Sequence, residues 1–424
     1  MDMKSPFHTS LMHIAFASLS ASTFFLPLSA HATNGYFSSG YGAKSQGIAG
    51  AGIALPQDAL AAATNPAGTA AVGERTDLGL TWFAPSREAS ITGNGAGADA
   101  TYSGNATKHF LIPDFGITRQ INPELFWGVA VYGNGGMNTD YSTNPYSRFG
   151  ATGSAGVNLE QLFISPSVAY KLNDEHTVGA ALNLAYQRFS AKGLGLFSDF
   201  SNAPTNVSDL GTDSSTGAGL RLGWTGKITP QLTLGATWAS KISGKFDKYK
   251  GLFADGGGFD VPENYGLGLA IELSSKTTLA ADVQHIRYSQ VHSIGNSVAS
   301  LFNGSALGSA NGPGFGWRDQ TVLKLGVQHK VSNDLTLRAG VSTANQVVQP
   351  GETFFNIVAP GVVRHHLTFG FTQANSKAGE WSGFYALGLG QSVNGANSIA
   401  AGFGGGNANV RLKEHIIGIS YAWK

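Results

Sequence analysis

The chain has 424 residues, of which only 12% are charged and 58 are glycine, and its formal net charge is +1. Such a balance shows no bias towards nucleic acid, and so little charge is unusual for a soluble exterior. The absence of cysteine excludes a disulfide framework and suits a protein that crosses an oxidising compartment unfolded.

Residues 1–32 read as a secretory signal: Lys4 in a short basic region, an apolar run from Leu11 to Leu28, then Ala30-His31-Ala32 as a small-residue cleavage site. The alternative is an uncleaved anchor, but Ser and Thr interrupt the run and the cleavage site follows it directly, so the mature chain is expected to start at Thr33. Losing the segment removes Lys4 and Asp2 together and leaves the net charge unchanged. No later stretch reaches the 18 or more apolar residues of a membrane-spanning helix, so a membrane role would have to use strands.

Residues 33–73 come next. From Thr33 to Gly68 the segment is rich in small residues, with Gly35, Gly40, Gly42, Gly47, Gly50 and Gly52, and it closes on Asn65-Pro66-Ala67-Gly68. It has too few large apolar residues for a core of its own. Its glycines permit close backbone packing, so it is expected to fill the inside of whatever residues 74–424 build.

Those residues alternate. Reading for period two gives about fourteen segments of roughly ten residues, each placing large apolar side chains against small or polar ones, the pattern of a transmembrane barrel. Arg75 to Phe83 directs Leu78, Leu80 and Trp82 outwards; Phe126 to Val131 does the same with Trp127, Val129 and Val131; Gln161 to Tyr170 with Leu162, Ile164, Val168 and Tyr170. The last segment, Lys413 to Trp423, puts Ile417, Ile419, Tyr421 and Trp423 on one face, which ends the chain on interfacial aromatics. Connections alternate in length as well. Short turns at 120–124, 171–175, 228–231 and 331–334 contrast with long Gly/Ser/Asn-rich stretches at 85–108, 134–158, 190–217, 243–262, 288–316, 345–361 and 391–409, the arrangement of periplasmic turns and external loops. A soluble sandwich or propeller is the competing fold, but no blade repeat is visible. The expected architecture is all-β: a 14-stranded antiparallel transmembrane β-barrel plugged by a small N-terminal hatch.

The run GYGAKSQGIAGAGIALPQDALAAATNPAG (40–68) resembles the hatch of the FadL family, outer-membrane transporters of long-chain fatty acids and other hydrophobic compounds. The resemblance continues at HFLIPDFGITRQINPELFWGVAVYGNGGM (109–137), at GWRDQTVLKLGVQHKVSNDLTLRAGVS (316–342) and in the final strand, so it follows the mature chain in order. It implies external loops forming a hydrophobic landing groove, and an inward kink in the third wall strand that opens a side exit towards lipid. Gly133-Asn134-Gly135-Gly136 stands where that kink would fall; glycine in a strand marks bends and bulges, although a loop starting after Tyr132 reads equally well. The resemblance also places Arg318, the basic residue after Trp317, at the internal ligand site, against the alternative that it pairs with Asp319.

The gating residues expected on this basis are Asn65, Pro66 and Ala67 in the hatch and Gly133, Gly135 and Gly136 in the wall. Apolar residues in the long stretches, Phe197, Phe200, Phe246 and Phe253 above all, suit a greasy ligand, with mutual packing of loop tips as the plainer alternative. No nucleophile elbow, phosphate loop or zinc spacing occurs, and the adjacent His365 and His366 face opposite sides of a strand. The expected protein is therefore no enzyme and uses no cofactor or metal. It is a monomeric outer-membrane channel whose partners are a hydrophobic small molecule and membrane lipid, with no nucleic acid. A general porin and a surface adhesin or phage receptor are the competing readings.

Overall fold

The structure, a computed structural model, describes residues 34–375 and 379–423; the expected signal segment 1–32 and its cleavage before Thr33 lie outside them. Fifteen strands are present among the described residues: β1 Arg75–Thr92, β2 Ala100–Ser103, β3 Phe110–Gln120, β4 Leu125–Tyr141, β5 Ala155–Lys171, β6 His176–Lys192, β7 Asp213–Lys227, β8 Leu232–Ala239, β9 Asn264–Ser274, β10 Thr277–Ile286, β11 Gln320–Lys330, β12 Leu335–Ala344, β13 His365–Asn375, β14 Gly379–Val393 and β15 Asn407–Trp423. All pairings are antiparallel between neighbours, and β1 pairs with β15 from Thr76↔Trp423 to Thr92↔Asn407, which closes the ring. Fourteen strands form the wall. The short β2 is an addition that pairs only with the upper end of β1, at Glu88 to Ile91.

Closure pairs the backbone of the spanning segments between strands, as hydrocarbon demands, save on one side of Phe110 to Asp114 in β3. Side chains obey the same solvent. Leu78, Leu80, Trp127, Ile164, Val168, Leu267, Phe369, Ile417, Ile419 and Trp423 stand exposed on the outer face, while many of their alternating neighbours are small or polar, with buried Phe126, Phe163 and Ile416 among the exceptions. Several strands are longer than their hydrophobic alternation: β1 continues to Thr92, β4 to Tyr141, and β5 starts at Ala155, in stretches expected to be loop. The upper ends carry outward polar residues such as Glu88 and Asp140, so hydrogen-bonded ladders extend them where the outward apolar signal has ended.

Residues 34–73 wind around the inside of this ring, with α1 Ala43–Gln46 and α2 Gly68–Ala71 as their helical turns. The wall holds them mainly through backbone. Asp282 of β10 accepts from the amides of Gly52 (2.8 Å) and Ile53 (3.0 Å); Thr368 of β13 accepts from Ala49 N (2.9 Å) and donates to Gly47 O (3.1 Å); Lys324 of β11 donates to Ser39 O (2.8 Å). At the base, Arg75 bridges Asp77 and Glu380 at 2.7 Å each, and Lys44 of the segment joins Glu380. Burial, and after it the neighbouring Asp77, push the Asp58 carboxyl of this segment up to about 6.

Close approach is possible because the wall withdraws its side chains. A Cβ on Gly223 of β7 would lie 1.9 Å from Asn65 Oδ1, and one on Gly179 of β6 would lie 2.3 Å from Ala67 N. Asn65 in turn donates to Ile53 O (2.8 Å) and Trp224 O (3.0 Å) and accepts from Ala67 N (3.1 Å). Gly223→Val should therefore unseat this end of the segment, at about 1–3 kcal/mol of overpacking strain, while leaving the barrel closed. Maleimide labelling of a Thr64→Cys reporter should rise several-fold over the reporter alone, with unchanged heat-modifiable migration in gels; equal labelling would refute the docking role.

Candidate functional site

Loops at the open end fold inwards. Tyr141 OH donates to Ile357 O (2.8 Å), Tyr146 OH to Phe354 O (2.9 Å) and Thr139 Oγ1 to Val358 O (2.8 Å), and these three bonds draw the 345–363 connection into the barrel mouth. Beneath it lies a narrow cavity of about 40 Å³, lined by Val157, Phe189, Phe197, Leu252, Phe253 and Phe355 among others. Its lining is nearly all apolar, as ligand sites usually are, and a hydrocarbon enters only if these rings part.

Rings connect this cavity both upwards and downwards. Phe200, 37% exposed, meets Phe403 at 5.7 Å; Phe403 meets Phe354 at 5.6 Å, Phe354 meets Tyr146 at 5.4 Å, and Tyr146 meets Phe197 at 5.3 Å. On the lower side Phe253 contacts Phe259 (4.9 Å), which contacts Tyr36 (6.0 Å), and Tyr36 packs on Tyr288 (5.2 Å) and Trp317 (6.1 Å). A second, smaller cavity begins there, lined by Gly35, Phe83, Arg87, Met137, Trp317 and Leu412 among others. Burial first, and Tyr288 after it, hold the Tyr36 phenol well above its ordinary range, so the ring stays uncharged.

At that level the wall opens. The β3–β4 ladder covers only Phe115–Gln120 against Phe126–Val131, so Phe110 to Asp114 pair with β1 but have no partner on the β4 side among the described residues. Pro113, with no amide hydrogen to offer, stands on that unpaired stretch. β4 bends away at the glycines: its register with β5 slips between Gly133 and Gly135, and Asn134 turns inwards to Tyr41 OH (2.9 Å) and Gln161 Oε1 (2.9 Å). The strand thus continues through the cluster as a bulge, and no loop starts after Tyr132.

The N-terminal end of the lumenal segment fills the inner side of the bend. Gly136 N donates to Tyr36 O (2.8 Å) and Ser38 N to Asn134 O (3.0 Å), with a bridge between Phe37 and Gly135. A Cβ on Gly135 would lie 1.9 Å from Tyr36 O, so only glycine lets the two backbones meet. Arg87 holds the upper rim of the breach. Its guanidinium donates to Asn138 O (2.8 Å) and Oδ1 (2.6 Å) and to Thr107 O, supplying the bonds that a neighbouring strand would otherwise make.

Of the residues singled out from sequence, Phe197 and Phe253 line the upper cavity, Phe246 is buried beside Phe253 (6.0 Å), and Phe200 stands at the surface end of the ring series. Gly133, Gly135 and Gly136 lie at the bend. Asn65, Pro66 and Ala67 lie far from it, against β6 and β7. Arg318 is placed differently from its expectation: its side chain is exposed, because alternation turns Trp317 inwards to donate to Asn356 Oδ1 (2.6 Å) and Arg318 outwards. It has no ion pair with Asp319, which accepts from Ser289 N (2.9 Å). Tyr36, Phe37, Tyr288, Trp317 and Arg87 went unnoticed. Tyr36-Phe37 was detectable as the one pair of adjacent large rings in a glycine-rich run, whereas Arg87 sits in a stretch taken for loop.

Arg87→Met should leave two or more carbonyls unsatisfied and destabilise the folded barrel by about 2–4 kcal/mol, read as a lowered thermal midpoint in detergent; a midpoint within error of the parent would show that the rim is held otherwise. Gly135→Val should expel residues 34–38 from the bend, measured as faster labelling of a Ser38→Cys reporter. Unchanged labelling would mean that the N-terminal seal does not depend on this glycine.

The family described as outer membrane protein transport protein (OMPP1/FadL/TodX) matches residues 29–378. Among solved structures, a Pseudomonas aeruginosa FadL homologue is similar with a TM-score of 0.71 at 17% identity, over 92% of this chain and 99% of that one. The Pseudomonas putida toluene transporter TodX is similar with a TM-score of 0.65 at 19% identity, over 91% and 99%, and the Ralstonia pickettii toluene transporter TbuX with 0.63 at 17%, over 91% and 99%. No curated protein matches the chain. At these identities the structural likenesses establish the fold.

Proposed function

Because the chain belongs to the OMPP1/FadL/TodX family of outer membrane transport proteins, we propose that it is a passive, monomeric channel taking up uncharged hydrophobic molecules, aromatic hydrocarbons among them. The observation that carries this reading is the continuous series of rings from exposed Phe200, past the cavity at Phe197 and Phe253, to the seal of Tyr36 and Phe37 at the breach between β3 and β4. A molecule would land at the loop tips, occupy the upper cavity, pass the Tyr36–Tyr288–Trp317 cluster when residues 34–38 leave their seat, and exit sideways into outer-membrane lipid. Residues 33–73 act as the hatch, and its movable part is the N-terminal end at Gly133, Gly135 and Gly136. Asn65, Pro66 and Ala67 serve as its anchor.

Magnitudes favour a neutral passenger. Burying six hydrocarbon carbons gains about 5 kcal/mol at about 0.8 per methylene, whereas an unpaired carboxylate costs several kcal/mol or more on leaving water. No basic side chain lines the upper cavity, and Arg87 in the lower one is committed to backbone carbonyls. The relatives TodX and TbuX are named as toluene transporters, which agrees with this preference. No energy source is needed, since partition into lipid draws the molecule onwards.

Flux into liposomes containing the protein tests the reading. Toluene should enter at least about tenfold faster than oleate, and Phe197→Asp with Phe253→Asp should slow toluene by about the same factor, the effect of roughly 1.4 kcal/mol. Equal flux of the two solutes, or an indifferent double variant, would reject the neutral-hydrocarbon assignment. A Gly135→Val, Gly136→Val barrel that assembles normally and carries toluene unchanged would reject the lateral route.

A further inference from the structure

The outer face of β15 is ordered by height. From the base upwards its outward residues are Trp423, Tyr421, Ile419, Ile417, His415, Lys413 and Arg411. The lower aromatics are joined by Trp381, 4.8 Å from Tyr421. An upper aromatic level follows, where Trp82 stacks on His109 at 5.5 Å and the Tyr385 hydroxyl is hydrogen-bonded to His415 Nδ1 (2.8 Å). Ten residues separate Trp423 from Lys413, about 33 Å along a strand at about 3.3 Å per residue, or about 25 Å of height at a tilt near 40°, the thickness of the apolar band of an outer-membrane barrel. Lys413 and Arg411 therefore stand where acyl chains end and lipid headgroups begin.

Several other cations of the upper wall are neutralised in place: Arg188 by Glu160 (3.1 Å), Lys192 by Asp140 (2.8 Å), Lys241 by Asp260 (2.7 Å) and Arg287 by Glu263 (2.6 Å). Lys413, Arg411 and Lys108 differ. All three are exposed, and among the described residues none makes a side-chain ion pair or hydrogen bond; the one carboxylate in register is Glu88, opposite Arg411. Beside Arg411 and Lys413 β14 carries a bulge, with a register slip between Gly388 and Gln391, while Lys108 lies on their other side, two residues before Phe110 of β3, which pairs with Phe83 of β1. Gly390 in that bulge is exposed, and a methyl group there would stand 3.9 Å from Arg411 Nη2 and 3.7 Å from Lys413 Cβ. The bulge leaves a notch under two unpaired cations, with outward Leu387 and Leu389 below it.

The geometry points to this notch as a docking site for a phosphorylated glycolipid of the outer leaflet, its phosphate held by Arg411, Lys413 and Lys108 and its acyl chains lying on the apolar face beneath. Charge complementarity selects an anion, since Lys and Arg clusters at a membrane surface recognise phosphate headgroups. Height selects a lipid over a soluble anion, because apolar wall begins directly below the cations.

Native mass spectrometry of the full-length barrel in detergent, titrated with bis-phosphorylated lipid A, tests the inference. A one-lipid adduct is expected, and K108Q/R411Q/K413Q should weaken it at least about tenfold; Lys413→Gln alone should weaken it by a few-fold. A matched barrel with Lys192→Gln and Lys241→Gln should bind as the parent does, and lipid A stripped of phosphate should bind the parent no better than it binds the triple variant. Lipid A retained equally by the triple variant, or equal binding of the stripped lipid, would overturn the proposal. So would displacement by millimolar inorganic phosphate, which would mark a free-anion site.

Discussion

A ring of fourteen strands is wider than side chains alone can fill, and this chain fills it with main chain pressed against main chain. The contact that the interior depends on is the one between residues 34–73 and a wall stripped of side chains at Gly179, Gly223, Gly326 and Gly340. Hydrophobic burial cannot supply the cohesion, because the segment has few large apolar groups. Hydrogen bonds do so, each contributing about 1 kcal/mol net, from Asp282, Thr368, Lys324 and Asn65. With the lower lumen occupied in this way, apolar space survives only above it, beneath the inward-folded loops.

Support along the segment differs in kind. Asn65 makes three hydrogen bonds and rests in a recess that two glycines create. Residues 34–38 meet the bent strand through two backbone bonds, and the Tyr288 hydroxyl donates to Asn34 O and accepts from Tyr36 N, while Tyr36 OH donates to Asp260 O. Ring contacts add to these, and packing of that kind is non-directional, so the proposed movement of this end would trade directional bonds for contacts that can re-form in more than one arrangement.

Much of this was legible in the sequence, and the reasons are local. Period-two alternation at Leu78-Leu80-Trp82 or Ile417-Ile419 is imposed by lipid itself, so the wall strands could be recognised one by one. The lumenal segment announced itself by what it lacks. The upper ends of β1, β4 and β5 could not be read in this way, since above the membrane the outward residues are polar and the apolar ones, such as Ile91, Met137, Val157 and Leu159, turn inwards. Arg318 shows another limit: a motif gives the neighbour of a pocket residue, but alternation decides which of two adjacent side chains points in, and Trp317 took that place. The bend at Gly133 to Gly136 was open between two readings because glycine allows both; the partner that selects one, Tyr36, lies about a hundred residues earlier.

The unpaired edge from Phe110 to Asp114 has a further consequence. Hydrocarbon does not tolerate bare amides and carbonyls, yet the edge descends from Phe110, level with Phe83 near the upper limit of the apolar band, to Asp114, level with Gly79 and just below Leu80; Pro113 lowers the number of bare amides in its deeper part, and its upper end lies near Trp82 and His109. There the exposed peptide groups can be hydrated, and polar residues such as Thr107, Asn138, Asn158 and Lys192 surround the outer side of the opening. On the proposed lateral route a passenger would leave past this polar upper rim, and stripping water from its peptide groups would slow the exit, so the rate would answer to lipid headgroup packing as well as to the protein.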